Sequence, residues 1–169
     1  MMKIFYKIMF LLIVMSSILP SNMHASAATK NDFLQIEGYK SKHSHPVNQI
    51  PKVTDLFQVS TNQILVTFDA QVELSEGTKA SVYWIQSLSD AIPTGIASLG
   101  NNSKFNASNA LSSNQVTITK VQGDNNSFLL TFKQEIPSNK RYKLVVRNLN
   151  APGAKPFNGL NGMKVFTGK

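Results

Sequence analysis

The chain has 169 residues with a hydrophobic fraction of 42% and ten Phe, which suffices for one globular core but not for two. It contains no cysteine, so disulfides, a lipid-modified cysteine and a cysteine nucleophile are all excluded. The formal net charge of +8 favours anionic partners. The fold must be held together by its core alone.

Residues 1–28 have the three parts of a secretory signal peptide. Lys3 and Lys7 supply the positive first part, and the apolar run from Ile8 to Leu19 is shorter than the ~20 residues that span a bilayer. Small side chains up to Ala28 suit cleavage by a signal peptidase. We therefore predict an exported protein, secreted or associated with the cell surface, with no membrane segment after cleavage.

Residues 29–50 are polar and rich in turn formers, which predicts a flexible N-terminal arm. His43 and His45 lie in this arm and would face the same side of a strand. A zinc site requires three or four ligands, and neither Cys nor a carboxylate cluster lies nearby. A solvated arm is the preferred interpretation, and no metal site is predicted.

After Pro51 the sequence changes to short branched or aromatic runs separated by Asn, Gly, Ser and Pro, which is the all-β pattern. No helix-length amphipathic period occurs after Pro51. Residues 51–169 are therefore predicted to form a β-sandwich of about seven to eight strands. The predicted strands are Lys52 to Val59, Gln63 to Phe68, Lys79 to Gln86, Ile92 to Leu99, Gln115 to Val121, Phe128 to Phe132, Arg141 to Arg147 and Met163 to Thr167.

The order of several runs resembles the bacterial Ig-like module of S-layer and other surface proteins (SbsA-type). These runs are Val53 to Val59, Ile64 to Asp69, Ala80 to Ile85, and Ile136-Pro137 followed by Tyr142 to Val146. The resemblance covers residues 51–168 and implies an Ig-like or fibronectin-III-like sandwich. Such proteins usually carry several modules, whereas this chain has one copy with long loops at Asn101 to Ser113 and Ala151 to Gly162. A single module spans little distance, so we expect a binding role rather than that of a spacer.

Three aromatic residues have predicted places in the sandwich. Tyr142, near the start of the penultimate strand, is expected to donate its hydroxyl to the backbone near Pro137 to Asn139, as a tyrosine corner does. Tyr83 and Trp84 are adjacent, so they face opposite sides of their strand. We expect Trp84 to fill the core as a structural residue and Tyr83 to be an exposed ring, a candidate carbohydrate contact.

Signals for catalysis and for cofactors are weak. The predicted domain has no His and no G-x-S-x-G motif, so a Ser-His triad is not expected. Its acids stand in turn-like contexts, which do not favour a glycosidase pair. Asp69, Glu73 and Glu76 are a candidate calcium cluster, but their spacing fits no known loop signature. We therefore predict a protein that is not an enzyme and has no cofactor.

Basic residues are the best functional lead, because they greatly outnumber acids from Lys104 onwards. On the strand from Arg141, odd-numbered positions face away from Tyr142 and Leu144, which places the cations together on the outward face. With cations on neighbouring strands they predict a polyanion-binding patch. Its members are Lys133, Arg141, Lys143, Arg147 and Lys164. A merely soluble basic surface remains the alternative interpretation.

The sequence thus predicts a secreted, non-enzymatic Ig-like binding or structural module that associates with the anionic bacterial cell envelope through a basic sheet face. The predicted partner is a cell-wall polyanion or a surface glycan. Nucleic acid is not expected, because the protein is exported and aromatics do not interleave with the cations. The alternative is a carbohydrate-binding or adhesion domain that uses Tyr83 and the Asn101 to Ser113 loop. A small hydrolase or an enzyme inhibitor is the third class.

Overall fold

The computed structural model describes residues 49–169. These residues form seven strands in two antiparallel sheets, with orders β1-β2-β5-β4 and β3-β6-β7. In immunoglobulin lettering the two orders read A-B-E-D and C-F-G, those of a constant-type domain. The predicted all-β sandwich is therefore confirmed. The strands are β1 (Val53–Ser60), β2 (Gln63–Phe68), β3 (Tyr83–Ser87), β4 (Val116–Lys120), β5 (Ser127–Phe132), β6 (Arg141–Arg147) and β7 (Leu160–Thr167).

Helical structure within the described residues is limited to one short helix, α1 (Leu74–Gly77), and two 3-10 turns, Ala80–Val82 and Ala107–Asn109. No described helix has the length and apolar character needed to cross a bilayer. The predicted strand from Ile92 to Leu99 is wrong, because that described segment forms only a single bridge, between Leu99 and Gln86. The predicted signal peptide, most of the arm, His43 and His45 lie outside the described residues.

The core lies between the two sheets and follows the alternation read from the sequence. Inward positions on β2, β5 and β6 are apolar and fully buried, whereas their neighbours face outwards. Phe68 and Phe128 meet edge to face, with ring centroids 6.1 Å apart. The inward side chains are Ile64, Val66, Phe68, Phe128, Leu130, Phe132, Tyr142, Leu144 and Val146.

The connection between β2 and β3 closes one end of this core. Gly77 lies so close to Phe128 that a Cβ there would approach the ring to 2.4 Å. Only glycine fits at that distance, and its carbonyl oxygen accepts a hydrogen bond of 2.8 Å from the Tyr83 hydroxyl. The segment therefore enters β3 with Tyr83 already fixed in the interior.

The first and last strands meet where the two sheets adjoin. The fully buried Asn161 donates to the carbonyls of Pro51 (2.9 Å) and Leu149 (2.8 Å) and accepts from the Leu149 N–H (2.8 Å). At the far end, the Lys169 N–H donates to Gln58 Oε1 at 3.0 Å. β1 and β7 therefore run side by side in the same direction, joined by side-chain hydrogen bonds.

Candidate binding face

Three cations share the outward face of β6. Arg141, Lys143 and Arg147 alternate with the buried Tyr142, Leu144 and Val146, as predicted. At about 3.3 Å per residue the row is roughly 20 Å long. The two ion pairs of the described residues, Lys79 with Glu76 and Lys140 with Asp90, include none of the three. The row therefore presents positive charge that no described carboxylate pairs with at close range.

The middle of the row is held by β3 and by the loop that follows it. Lys143 Nζ donates to Gln86 Oε1 at 3.3 Å. The Gln86 amide in turn donates to the carbonyls of Gly100 (3.2 Å) and Asn101 (3.0 Å), and at 3.5 Å to that of Ser103. The backbone of exposed Lys104 therefore lies on the same face. This cation was missed in the sequence prediction, because only the return of the loop over β3 brings it there.

Two members of the predicted patch lie elsewhere. Lys164 pairs with Leu144 in the β6–β7 register, which places it on the inward-facing side of β7, whereas Val165 pairs with Lys143 on the outward side. Lys133 directly follows β5, in the opposite sheet, and its N–H donates to Gln115. The prediction that Lys133 and Lys164 join the β6 cations is therefore wrong.

Trp84 lies on the outward face rather than in the main core, in the same register row as Val145. It is nonetheless only 4% exposed, because the loop from Leu99 to Ala110, here called the covering loop, folds over it and forms a second hydrophobic cluster that includes Phe105. Trp84 is structural, but the expectation that it fills the sandwich interior is wrong.

The loop is fixed to Trp84 by hydrogen bonds. The indole Nε1 donates to the Asn106 carbonyl (2.9 Å) and to Asn109 Oδ1 (3.1 Å). Asn106 Oδ1 accepts from the N–H groups of Ser108 and Asn109, while Asn109 Oδ1 accepts from the Asn106 N–H, which completes a capping box. A stretch predicted only as a polar loop therefore has a defined conformation over the basic face.

Tyr83 takes the interior place instead. It is fully buried and donates to the Gly77 carbonyl, and burial raises the pKa of its phenol well above the ordinary value. A buried ring cannot stack on a sugar. The prediction of Tyr83 as an exposed carbohydrate contact is therefore wrong, because alternation separates Tyr83 from Trp84 without saying which of them faces the other sheet.

Tyr142 is buried but does not form the predicted corner. Its hydroxyl has no hydrogen-bond partner among the described residues. The pKa of the Tyr142 phenol is raised, mainly by burial and to a smaller extent by the nearby negative charge of Asp90. The turn before β6 pairs instead with the C-terminal segment, since Asn139 N–H donates to the Gly168 carbonyl and Gly168 N–H to the Lys140 carbonyl. The backbone of this turn is thus hydrogen-bonded to the C-terminal segment and not to the Tyr142 hydroxyl. The ring of Tyr142 packs against Phe166.

Asp90 organises the segment that leads into the covering loop. Its carboxylate accepts from Lys140 (2.8 Å), Ser87 (3.1 Å) and Thr94 (3.3 Å). The hydrogen bond from Lys140 is the largest of the effects that lower the pKa of Asp90. This pairing partly neutralises Lys140, which directly precedes β6.

The candidate calcium ligands do not converge. Asp69 accepts from the Lys52 N–H, Glu73 from Ser75, and Glu76 pairs with Lys79. Within residues 49–169 no group of three or more metal-ligating side chains is close enough to hold an ion.

No family model matches the chain, and no curated protein matches its sequence. Three solved structures of the S-layer protein SbsC each match 70% of the chain with a TM-score of 0.46. They are the N-terminal part (14% identity), rSbsC(31-844) (16%) and domains 1-6 (13%). The match covers 24% of the first structure and 14% of the other two. These proteins are SbsC, so the SbsA-type assignment remains a prediction.

Proposed function

We propose that this chain is a secreted, non-enzymatic binding module that attaches to an anionic polymer of the bacterial cell envelope through the outer face of β6. The observation that carries the proposal is the row of Arg141, Lys143 and Arg147, which point the same way and form no ion pair with a described carboxylate. The signal-peptide pattern of residues 1–28 supports export to the compartment where such polymers occur.

The expected strength of this attachment follows from the partial exposure of the row, in which Arg141 is exposed and Lys143 and Arg147 are half-buried. A solvent-exposed ion pair contributes about 0.2–1 kcal/mol, so three contacts amount to about 0.6–3 kcal/mol, or roughly threefold to 150-fold in affinity. Salt screens such contacts over a Debye length of about 8 Å at physiological ionic strength. The binding should therefore be modest and strongly salt-dependent.

Co-sedimentation with purified cell walls over a range of salt concentrations tests the proposal. The variant Arg141→Gln/Lys143→Gln/Arg147→Gln should lose roughly threefold or more in affinity, with little change in melting temperature. The control Lys120→Gln/Lys133→Gln/Lys169→Gln removes the same charge away from the row and should bind like the parent protein. Equal loss in both variants would show that net charge alone matters, and full binding by the first would refute the proposal.

The alternative, a carbohydrate-binding or adhesion domain, no longer has Tyr83 as a contact but retains one supporting observation. The loop from Asn101 to Ser113 is fixed on the same face by Trp84, as a preorganised binding loop would be. Binding that survives raised salt would favour this alternative, since hydrogen bonds to neutral sugars are not screened as ion pairs are.

A further inference from the structure

A pocket opens at the Arg147 end of the row. Its volume is about 320 Å³, the lower end of the range for small-molecule sites. It lies between the covering loop, the 3-10 turn before β3 and the chain that follows β6. Its lining includes Ser81, Trp84, Asn106, Arg147, Asn148 and Asn158.

Arg147 is the one charged group in the lining of this described pocket. Its Nε is buried and has no hydrogen-bond partner among the described residues. A ligand in the pocket cannot reach this enclosed Nε, so its contacts fall to the two Nη groups of Arg147. A guanidinium binds a carboxylate or a phosphate with two parallel hydrogen bonds, so the ligand chemistry that suits Arg147 is an oxyanion.

The amide side chains around Arg147 add neutral donors. Asn148 has a positive φ of 65° and its Oδ1 accepts from the Gly159 N–H at 3.1 Å, which leaves its NH₂ group available. Asn158 is exposed, and its amide bonds to no described residue. Amides positioned beside a guanidinium suit the hydroxyls of a polyhydroxylated ligand.

Trp84 gives the pocket a rigid wall. Its indole nitrogen is already bonded to Asn106 and Asn109, and the ring is only 4% exposed. Trp84 therefore shapes the pocket and leaves the polar contacts to Arg147 and the amides.

We propose that this pocket binds one acidic sugar unit, a saccharide ring that carries a carboxylate or a phosphate. The anion pairs with the Arg147 guanidinium, and the ring hydroxyls bond to Asn148 and Asn158. This inference rests on the proposed function, because it names the unit of the anionic polymer that the face would recognise.

Because Trp84 is the single tryptophan of the chain, its fluorescence reports directly on the pocket. We would titrate the purified protein with glucuronate and with glucose 6-phosphate, using glucose and acetate as the neutral-sugar and bare-anion controls. Saturable change is expected with at least one acidic sugar, at concentrations roughly tenfold or more below those of both controls. Comparing the two acidic sugars shows whether the natural anion is a carboxylate or a phosphate.

Three variants locate the ligand. Arg147→Gln should raise the dissociation constant about tenfold or more, and Asn158→Ala about threefold. Lys133→Gln is the matched control, since it removes one positive charge beside the opposite sheet, outside the row and the pocket lining, and it should change the constant less than twofold. Equal effects of Lys133→Gln and Arg147→Gln, or a response to acetate as strong as to glucuronate, would refute the site. An unchanged melting temperature shows that the variants fold.

The two proposals fail separately. Wall binding by the parent protein without any saturable response to the acidic sugars rejects the pocket and leaves the charged face intact. A saturable response without wall binding rejects the polymer and leaves the pocket.

Discussion

The two outer faces of the sandwich are built on the same alternation but carry different chemistry. On the β1-β2-β5-β4 sheet, Phe57, Leu65, Leu129 and Thr119 form one continuous cross-strand row, and Phe57 is 56% exposed. On the β3-β6-β7 sheet, here called the covered face, the outward positions of β3 and β6 include Trp84 and the cations, the outward positions of β7 include Val165, and a loop lies over part of the face. The comparison shows that alternation decides which side chains point out of the core. The loops between the strands decide which of these side chains are covered and which stay exposed to solvent, as on the β1-β2-β5-β4 sheet, here called the bare face.

The largest contrast between the faces is expected at Trp84. Trp84→Ala should destabilise the fold by about 3–5 kcal/mol, because it removes a buried ring and both hydrogen bonds that fix the loop. Leu129→Ala, at an outward and half-buried position of the other sheet, should cost about 1 kcal/mol. Urea unfolding followed by circular dichroism measures both. Similar costs at the two positions would mean that the loop adds nothing to the covered face.

A pair of buried tyrosines sharpens the contrast from the inside. Tyr83→Phe should cost about 1–2 kcal/mol, since it leaves the Gly77 carbonyl without its partner. Tyr142→Phe should change the free energy of unfolding by less than about 0.5 kcal/mol or raise it, because the lost hydroxyl has no described partner. Chemical denaturation of the two variants side by side measures both effects. A larger loss of unfolding free energy in Tyr142→Phe than in Tyr83→Phe would support the tyrosine corner that the sequence predicted.

Acid should lower the stability of the fold through protonation of Asp90, which lies beside the covered face. Its pKa in the folded state lies below the ordinary value of about 3.9, so its contribution to stability is complete above that pH and is lost as the pH falls through the folded value. Asp90→Asn should therefore flatten the acid side of the melting-temperature profile. Lys140→Met should do the same, since Lys140 donates the hydrogen bond that lowers this pKa most. A profile unchanged in both variants would exclude Asp90 as the acid-sensitive group.

The smallest effect is expected on the bare face. Phe57→Thr should change the free energy of unfolding by no more than about 0.5 kcal/mol, because the ring is mostly exposed and threonine is well suited to strands. Thermal melting is a sufficient measurement. A loss above about 1 kcal/mol would show that Phe57 is covered in solution and would contradict the difference between the two faces.

Strand positions were largely predictable because period-two patterns are local. The hairpins β1–β2 and β4–β5 and the strands β6 and β7 all lie within a few residues of their predicted bounds. The outward cations of β6 followed from the same pattern, because Tyr142, Leu144 and Val146 leave only one choice of inward face. That part of the candidate site required no knowledge of the other strands.

What the sequence did not reveal depends on distant parts of the chain. Two distant segments determine that Tyr83 and not Trp84 faces the main core. The Gly77 carbonyl accepts a hydrogen bond from the Tyr83 hydroxyl, and the covering loop buries the Trp84 indole on the other side of the strand. The inward side of β7 is set by its register with β6, where a shift between Val146 and Arg147 brings Lys164 opposite Leu144. Neither the loop path nor the register leaves a local pattern in the residues concerned.

The parallel course of β1 and β7 has a mechanical consequence. Tension applied between Pro51 and Lys169 would act along the two terminal strands in opposite directions and load their lateral bonds in shear. Those bonds are made by side chains, at Asn161 and Lys52 near one end and Gln58 near the other. Resistance to pulling should therefore depend on a few replaceable residues, with the buried Asn161 as the main latch.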